Sequence, residues 1–262
     1  MRTHRRPLSS FLALLLLVGM TALAPATADA ATRRRGKEMT VQEQYELGLR
    51  YLKRGNYQKA LESFNRIRNY HRDDPLAIKA ELAVADAYYR KSEWDQARLT
   101  YEDFMRMHPR HPDLDYVVYR IGLCLYRKAP KVASRDQTWT RQAVNTWAGF
   151  EGRFPSSEHL EEVGKRYDEC RERLARKELL IARFYQRRKA WRAVAGRAEG
   201  LVHSYPDSEA THSEGWALLA RASAWEGDQA TVQEALVELE SIDPDAAQRL
   251  QAQLDRIEPA AE

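Results

Sequence analysis

The feature that most constrains this chain is a set of small and bulky residues that returns in the same order five times. In "EQYELGLRYLKRGNYQKALESFNRI", Leu47 and Gly48 are followed by Tyr51, Ala60 and Phe64. The second set is Ala85, Tyr88, Ala97, Tyr101 and Pro109, and the third is Gly122, Ala143, Trp147, Phe150 and Pro155. The fourth is Ala182, Tyr185, Val194, Ala198 and Pro206, and the last is Trp216, Ala220, Val232, Leu236 and Pro244. Between these landmarks apolar residues recur at helical spacing, no alternating strand pattern appears, and Gly and Pro act as punctuation.

The order is that of the tetratricopeptide repeat, a helix-turn-helix of about 34 residues. Small residues at the eighth and twentieth positions let helices A and B approach, and large ones at the eleventh and twenty-fourth fill the space between them. Proline closes helix B because it cannot continue the hydrogen-bond ladder. The expected fold is all-α, a solenoid of about five such units with a core continuous between neighbours. Asn56 and Ser92 stand where N-caps are expected, and Asp113 or Asp115 is expected to cap the helix after "HPRHP".

Two intervals between landmarks are long. "RKAPKVASRDQTW" (Arg127 to Trp139) reads as a loop inside repeat three. The stretch from Ser156 to Arg188 contains no Pro and one Gly, and predicts one helix of about 30 residues, roughly 45 Å long. The expected organisation is a signal peptide at 1–30, a basic linker at 31–40, repeats one to three at 41–155, repeats four and five at 156–246, and a tail at 247–262.

The first thirty residues have a basic start (Arg2, Arg5, Arg6), an apolar run from Phe11 to Leu23, and small residues at Ala28 and Ala30. That is the pattern of a Sec-type signal, with cleavage expected after Ala30 and export to a bacterial periplasm. The run falls short of the roughly 20 residues of a comfortable membrane span. No cysteine lies near its end, so no lipid anchor is expected. Removing Arg2, Arg5, Arg6 and Asp29 changes the net charge from +4 to +2. So even a balance argues against a nucleic-acid binder. "RRRGK" (Arg33 to Lys37) reads as a solvated tail or a contact with anionic lipid. Cys124 and Cys170 are the only cysteines; buried thiols and a disulfide across neighbouring helices are both open.

His108, His111, Asp113 and Asp115 are spaced like metal ligands. Yet His108-Pro109 ends repeat two, His111-Pro112 lies in the link, and the aspartates start a helix. No metal site or cofactor is expected there. Glu158, His159 and Glu161 begin an exposed helix without a visible partner. With no nucleophile-and-base set, no phosphate-cradling loop and no metalloprotease motif, an enzyme is not expected.

Function is then expected in surfaces. The A helices of such a stack line its concave face. They bring Tyr45, Leu49 and Leu52 there, then Leu82, Asp86, Tyr89 and Arg90, then Tyr116, Tyr119, Leu123, Tyr126 and Arg127. Tyrosine suits a groove with one apolar and one wet side. The groove, with Tyr45, Tyr89, Arg90, Tyr116, Tyr119 and Tyr126 as its candidate residues, is expected to take an extended peptide bearing aromatic side chains. A second surface is basic: Arg183, Arg187, Arg188, Lys189, Arg192 and Arg197 cluster around the turn of repeat four. It fits an acidic protein domain, with Arg188, Arg192 and Arg197 as candidate contacts.

"HPDLDYVVYRIGL" resembles a segment of the BamD (ComL) family, which reads His-Pro, two residues, Asp-Tyr-Val, one residue, Tyr, then Gly-Leu after two more. "LARKELLIARFYQRRKAWRAVAGRAEGLVHSYPDSEAT" is similar to that family's fourth repeat at Tyr185, Ala190-Trp191, Ala193-Val194, Arg197, Glu199-Gly200 and Tyr205-Pro206-Asp207. The likeness covers roughly residues 45–239. It implies a scaffold that assembles β-barrel proteins in the bacterial outer membrane. The amino-terminal repeats would receive unfolded outer-membrane proteins, and the carboxy-terminal repeats would dock on a POTRA-bearing barrel assembly protein, with Arg197 as the leading contact. Family members are usually lipoproteins acylated on an amino-terminal Cys. This chain shows none, which implies membrane association through the partner. The same repeats would also serve an envelope scaffold of the Tol-Pal or division machinery, or a regulator of a peptidoglycan amidase.

Overall fold

Short turns and an alternation of apolar faces leave each helix only one way to bury itself, against the helix that follows. The computed structural model describes residues 39–256; the predicted signal peptide and the Arg33–Lys37 segment lie outside them. Among the described residues every element is a helix. They are α1 (Val41–Lys53), α2 (Tyr57–Tyr70), α3 (Pro75–Arg90), α4 (Trp94–Met107), α5 (Leu114–Lys128), α6 (Thr138–Trp147), α7 (Phe150–Arg153), α8 (Leu160–Arg187), α9 (Trp191–Ser204), α10 (Glu209–Glu226), α11 (Gln229–Ile242) and α12 (Pro244–Leu254). Pairs α1/α2, α3/α4, α5/α6, α8/α9 and α10/α11 are the five predicted repeats, each helix packing on its successor. The predicted long helix is α8, 28 residues.

The landmarks meet as the repeat requires. Ala60, Ala85, Ala97, Ala143, Ala182, Val194, Ala198 and Ala220 are fully buried. A Cβ on Gly48 would stand 2.5 Å from the Phe64 ring, and one on Gly122 would stand 2.1 Å from Trp147. No side chain fits at either position without moving an aromatic ring of the paired helix.

The turns are closed differently from expectation. Asn56 and Asp113 occupy N-cap positions but make no side-chain cap bond, and Ser92 lies outside the cap, which is Glu93. The backbone closes these turns instead. Gly55, Ser92, Lys189 and Gly227 adopt left-handed conformations with φ of 73, 66, 56 and 76°. The next amide then reaches back across the turn: Asn56 N donates to Tyr51 O (2.9 Å), Glu93 N to Tyr88 O (3.0 Å), Ala190 N to Tyr185 O (3.1 Å) and Asp228 N to Ser223 O (2.9 Å). These bonds satisfy carbonyls of the preceding helix and leave the first amides of the next helix to other partners. Side-chain caps occur at Asp74, Asp228 and Asp243, which accept from the amides of Leu76, Thr231 and Ala246.

The core runs in three clusters. The first joins Leu52, Phe64 and Ile67 to Ala77, Ala80 and Val84; the second holds Tyr101, Phe104, Val117, Ile121 and Trp147; the third spans Leu179, Leu201, Trp216 and Leu239. Helix α8 belongs to two of them, through Val163 and Cys170 in the second and Leu179 and Ala182 in the third. Cys124 and Cys170 are unbonded, fully buried thiols of the second cluster. Residues 247–254, expected in a tail, belong to α12, whose Ala247, Leu250 and Leu254 close the third cluster.

The repeat-three loop is built around a buried polar side chain. Gln137 is fully buried, and its amide Nε2 donates to the carbonyl of Val132 at 2.8 Å, with those of Pro130 and Arg135 at 3.4 Å. Lys128 anchors the loop's start, its ammonium 3.6 Å above the Trp139 ring.

Candidate functional site

Tyr101 on helix B of repeat two and Tyr116 on helix A of repeat three are drawn together around one carboxylate, that of Asp86 on α3. Both Tyr101 and Tyr116 donate their hydroxyls to Asp86 Oδ1, Tyr116 at 2.6 Å. Arg120, one turn beyond Tyr116 on α5, donates from Nε to the Tyr101 hydroxyl at 3.0 Å and approaches Asp86 at 3.7 Å. Its guanidinium also lies over the Tyr89 ring, 3.6 Å from the centroid, close enough for a strong cation–π contact. Tyr89 in turn meets Trp94 edge-on at 4.9 Å.

Burial pushes the Tyr101 and Tyr116 hydroxyls up, and the Asp86 charge pushes them further. Burial works against the charge of Arg120, but the tyrosines and Asp86 around it hold its proton more firmly than usual.

Tyr119 lies one turn on from Tyr116, so its ring emerges beside the same cluster. It stacks on His159, centroids 4.5 Å apart and planes 12° off parallel. His159 sits at the N-cap of α8, so this stack joins repeat three to repeat four. Tyr126 donates to Glu169 Oε2 at 2.5 Å, and Arg166 reaches the Tyr126 hydroxyl at 3.3 Å. Tyr45 packs on Phe64 at 5.6 Å. Arg90 is exposed at the end of α3 and joins none of these contacts.

Of the predicted groove residues, the structure thus brings Tyr89, Tyr116 and Tyr119 into one aromatic surface, extends it with Tyr126, and leaves Arg90 at its margin. Arg120, His159, Arg166 and Glu169 hold the rings; His159, expected to begin an exposed helix without a partner, is instead stacked on Tyr119, and the other three have no place in the sequence reading. The i,i+4 spacing of Tyr116 and Arg120 was the available signal for one of them. The others come from α8, which no local pattern places against α5.

The basic turn has a partner surface that the charge pattern hid. Leu180 and Phe184 are 41 and 40% exposed and lie one turn apart on α8. Arg188 follows with its guanidinium 4.3 Å from the Phe184 centroid. Arg188 and Arg192 are exposed, while Arg197 donates to Glu178 at 3.0 Å and Arg183 to Glu214 at 2.6 Å. So the cations of this turn are not equally available.

The candidate metal ligands have other occupations. His108 Nε2 is 2.7 Å from Glu81, His111 Nδ1 accepts from the Asp113 amide at 3.2 Å, and Asp115 accepts from Ser157 at 2.6 Å. Among the described residues no group of three or more His, Cys, Asp or Glu converges as a metal site.

A family model described as YfiO, outer membrane lipoprotein, matches residues 37–235. The chain belongs to this family. Curated relatives bear the name outer membrane protein assembly factor BamD. The Neisseria gonorrhoeae protein is 29% identical over 208 residues, covering 74% of this chain and 78% of its own. The Neisseria meningitidis serogroup A protein is 30% identical over 181 residues, covering 66 and 68%, and the Haemophilus influenzae protein 29% over 195 residues, covering 71 and 74%. The resemblance carried by "HPDLDYVVYRIGL" therefore extends through most of a BamD chain. Among solved structures, the chain is similar to the TPR2AB domain of yeast Sti1 in complex with a pHSP90, at 15% identity and a TM-score of 0.44 over 82% of this chain and 83% of that one.

Proposed function

We propose that the protein is a non-enzymatic scaffold for assembling β-barrel proteins, working at the inner face of the bacterial outer membrane. Its membership of the YfiO family and the name its BamD relatives share support the assembly role. The observation that carries the finer reading is the aromatic surface of Tyr89, Tyr116 and Tyr119, held in place by Arg120, Asp86 and His159. Rings fixed before a ligand arrives lose little freedom on binding, so an extended, aromatic-bearing segment of an unfolded barrel can settle on them at low entropic cost.

Docking falls to the other end of α8. Leu180 and Phe184 supply an exposed apolar centre, and Arg188, Arg192 and Arg197 supply a cationic rim for the carboxylates of a POTRA domain. Arg197 would exchange Glu178 for a carboxylate of the partner.

Two measurements separate these roles. A labelled barrel-strand peptide ending in an aromatic residue should bind the protein and lose about tenfold or more in affinity with Tyr119→Ala, with far-UV circular dichroism unchanged. Unchanged affinity would remove the groove. Isolation from native envelope should recover a POTRA-bearing barrel protein, and Arg188→Glu with Arg197→Glu should lose it. Recovery of division or Tol-Pal proteins instead would assign the fold to another machinery.

A further inference from the structure

The turns of this solenoid fall on two edges. Successive helices pack antiparallel, so the turns within repeats one to four share one edge and the turns between repeats share the other. Contacts along each edge agree. Lys128, at the end of α5, pairs with Asp95 in the first turn of α4. On the opposite edge Ser157, before α8, bonds Asp115 at the start of α5.

The two edges differ in charge. On the first, Lys53, Arg54, Arg127, Lys131, Arg135 and Lys189 are exposed, and none of them forms an ion pair among the described residues. Of the acids of that edge, Glu93 is answered by Lys91 at 2.7 Å and Asp95 by Lys128, while exposed Asp136 accepts from the Thr138 hydroxyl at 3.0 Å and forms no ion pair among the described residues. On the second edge, exposed Arg72, Arg110 and Arg153 are interspersed with exposed Asp73, Asp113, Glu151, Glu158 and Glu161. The stripe ends at repeat five, where the turn carries Glu226 and Asp228.

Helix dipoles do not account for this. Cations gather favourably at a helix C-terminus, but the B helices end on the second edge with the same dipole and no such excess. Lys131 and Arg135 also lie beyond the last turn of α5, in the loop that buried Gln137 holds in shape. Between them Val132 is 57% exposed.

We propose that this edge rests on an anionic lipid surface, with Lys131 and Arg135 among the phosphates and Val132 at the level of the acyl boundary. The unpaired cations are strung through the turns of three repeats rather than gathered in one patch. That distribution matches an extended charged plane better than a compact acidic domain, and an apolar residue flanked by cations is the chemistry of an interfacial contact. The stripe shares Arg127 with the concave face and Lys189 with the basic turn, but Lys53, Lys131 and Arg135, which the test alters, belong to neither the peptide nor the POTRA surface.

The test is partition of the full chain onto phosphatidylcholine vesicles with and without phosphatidylglycerol. One variant carries Lys53→Glu, Lys131→Glu and Arg135→Glu. The control carries Arg72→Glu, Arg110→Glu and Arg153→Glu on the opposite edge, with the same change in net charge. Both retain Arg33 to Lys37, so that segment contributes equally. Partition onto the anionic vesicles should fall about tenfold or more in the first variant and stay within about twofold in the control, with salt weakening the unaltered chain. Equal losses in the two variants, equal binding of the unaltered chain to both vesicle types, or no partition at all would each overturn the proposal. Capture of an acidic protein domain by this edge without vesicle binding would overturn it too. Circular dichroism on both variants separates lost binding from lost fold.

Discussion

Gly122 of α5 lies against the indole of Trp147 on α6 so closely that a Cβ there would sit 2.1 Å from Cε2. Trp147 is 2% exposed and has no room to retreat. Gly122→Ala should therefore destabilise the fold by about 2–3 kcal/mol through overpacking, even though alanine is the better helix former. Urea unfolding would read this as a lower midpoint with unchanged slope. Gly164→Ala, where nothing lies within 4 Å of the added Cβ, is the control and should be neutral or stabilising.

The left-handed turn residues predict gains. Ser92 and Lys189 hold φ of 66 and 56°, a region where a Cβ is costly. Ser92→Gly and Lys189→Gly should each stabilise by roughly 0.5–1 kcal/mol, whereas Gly55→Ala should cost a similar amount. Thermal midpoints of the three variants check the signs.

Asp86 should matter more than an average partly exposed carboxylate. Asp86→Ala removes the shared acceptor of Tyr101 and Tyr116 and strips Arg120 of its acid. A loss of about 3 kcal/mol is expected, with Asp86→Asn recovering part of it by keeping an acceptor oxygen. The pH dependence has a definite sign. Burial and the Asp86 charge raise the Tyr101 and Tyr116 hydroxyls above their usual value, so the unfolded chain gives up these protons first. Their contribution is complete below about pH 10 and declines as pH rises above it. Chemical denaturation on both sides of that pH should show the decline, and Tyr116→Phe should flatten it.

The thiols should be silent in the native protein. Burial pushes Cys124 up to about 12 and Cys170 up to about 11, so little thiolate exists at neutral pH. Alkylation with iodoacetamide should be slow until denaturant is added and should then modify both. Fast modification of either without denaturant would contradict its place in the core.

Gln137 should control the order of the repeat-three loop. Gln137→Leu keeps the bulk but leaves the Val132, Pro130 and Arg135 carbonyls without their donor. Hydrogen exchange should quicken in residues 131–136 and stay slow in α5 and α6.

The repeat order was legible because each landmark answers a local steric demand. Gly48 against Phe64 and Gly122 against Trp147 are pairs that a spacing rule can find without knowing the fold. The caps were misjudged at Ser92 because a serine before a helix is ordinarily a cap, whereas here the backbone turns left-handed and Glu93 takes that position. The tyrosines were visible as a face, but what steadies them was not. His159 and Glu169 come from α8, more than thirty residues beyond the rings they touch, and only tertiary packing brings them there. Helix α12 was missed because its alternation is short and its Pro244 reads as the end of a repeat, although the same proline begins the next helix.

Helix α8 has one consequence for how the molecule can respond to load. At 28 residues it is a beam of about 42 Å, with His159 under the Tyr119 ring at one end and Arg188 on Phe184 at the other. Two of the three cores grip it, one near each end. A push on the basic end therefore cannot be absorbed there alone. A tilt of the beam would carry the stacked ring pair at its far end with it.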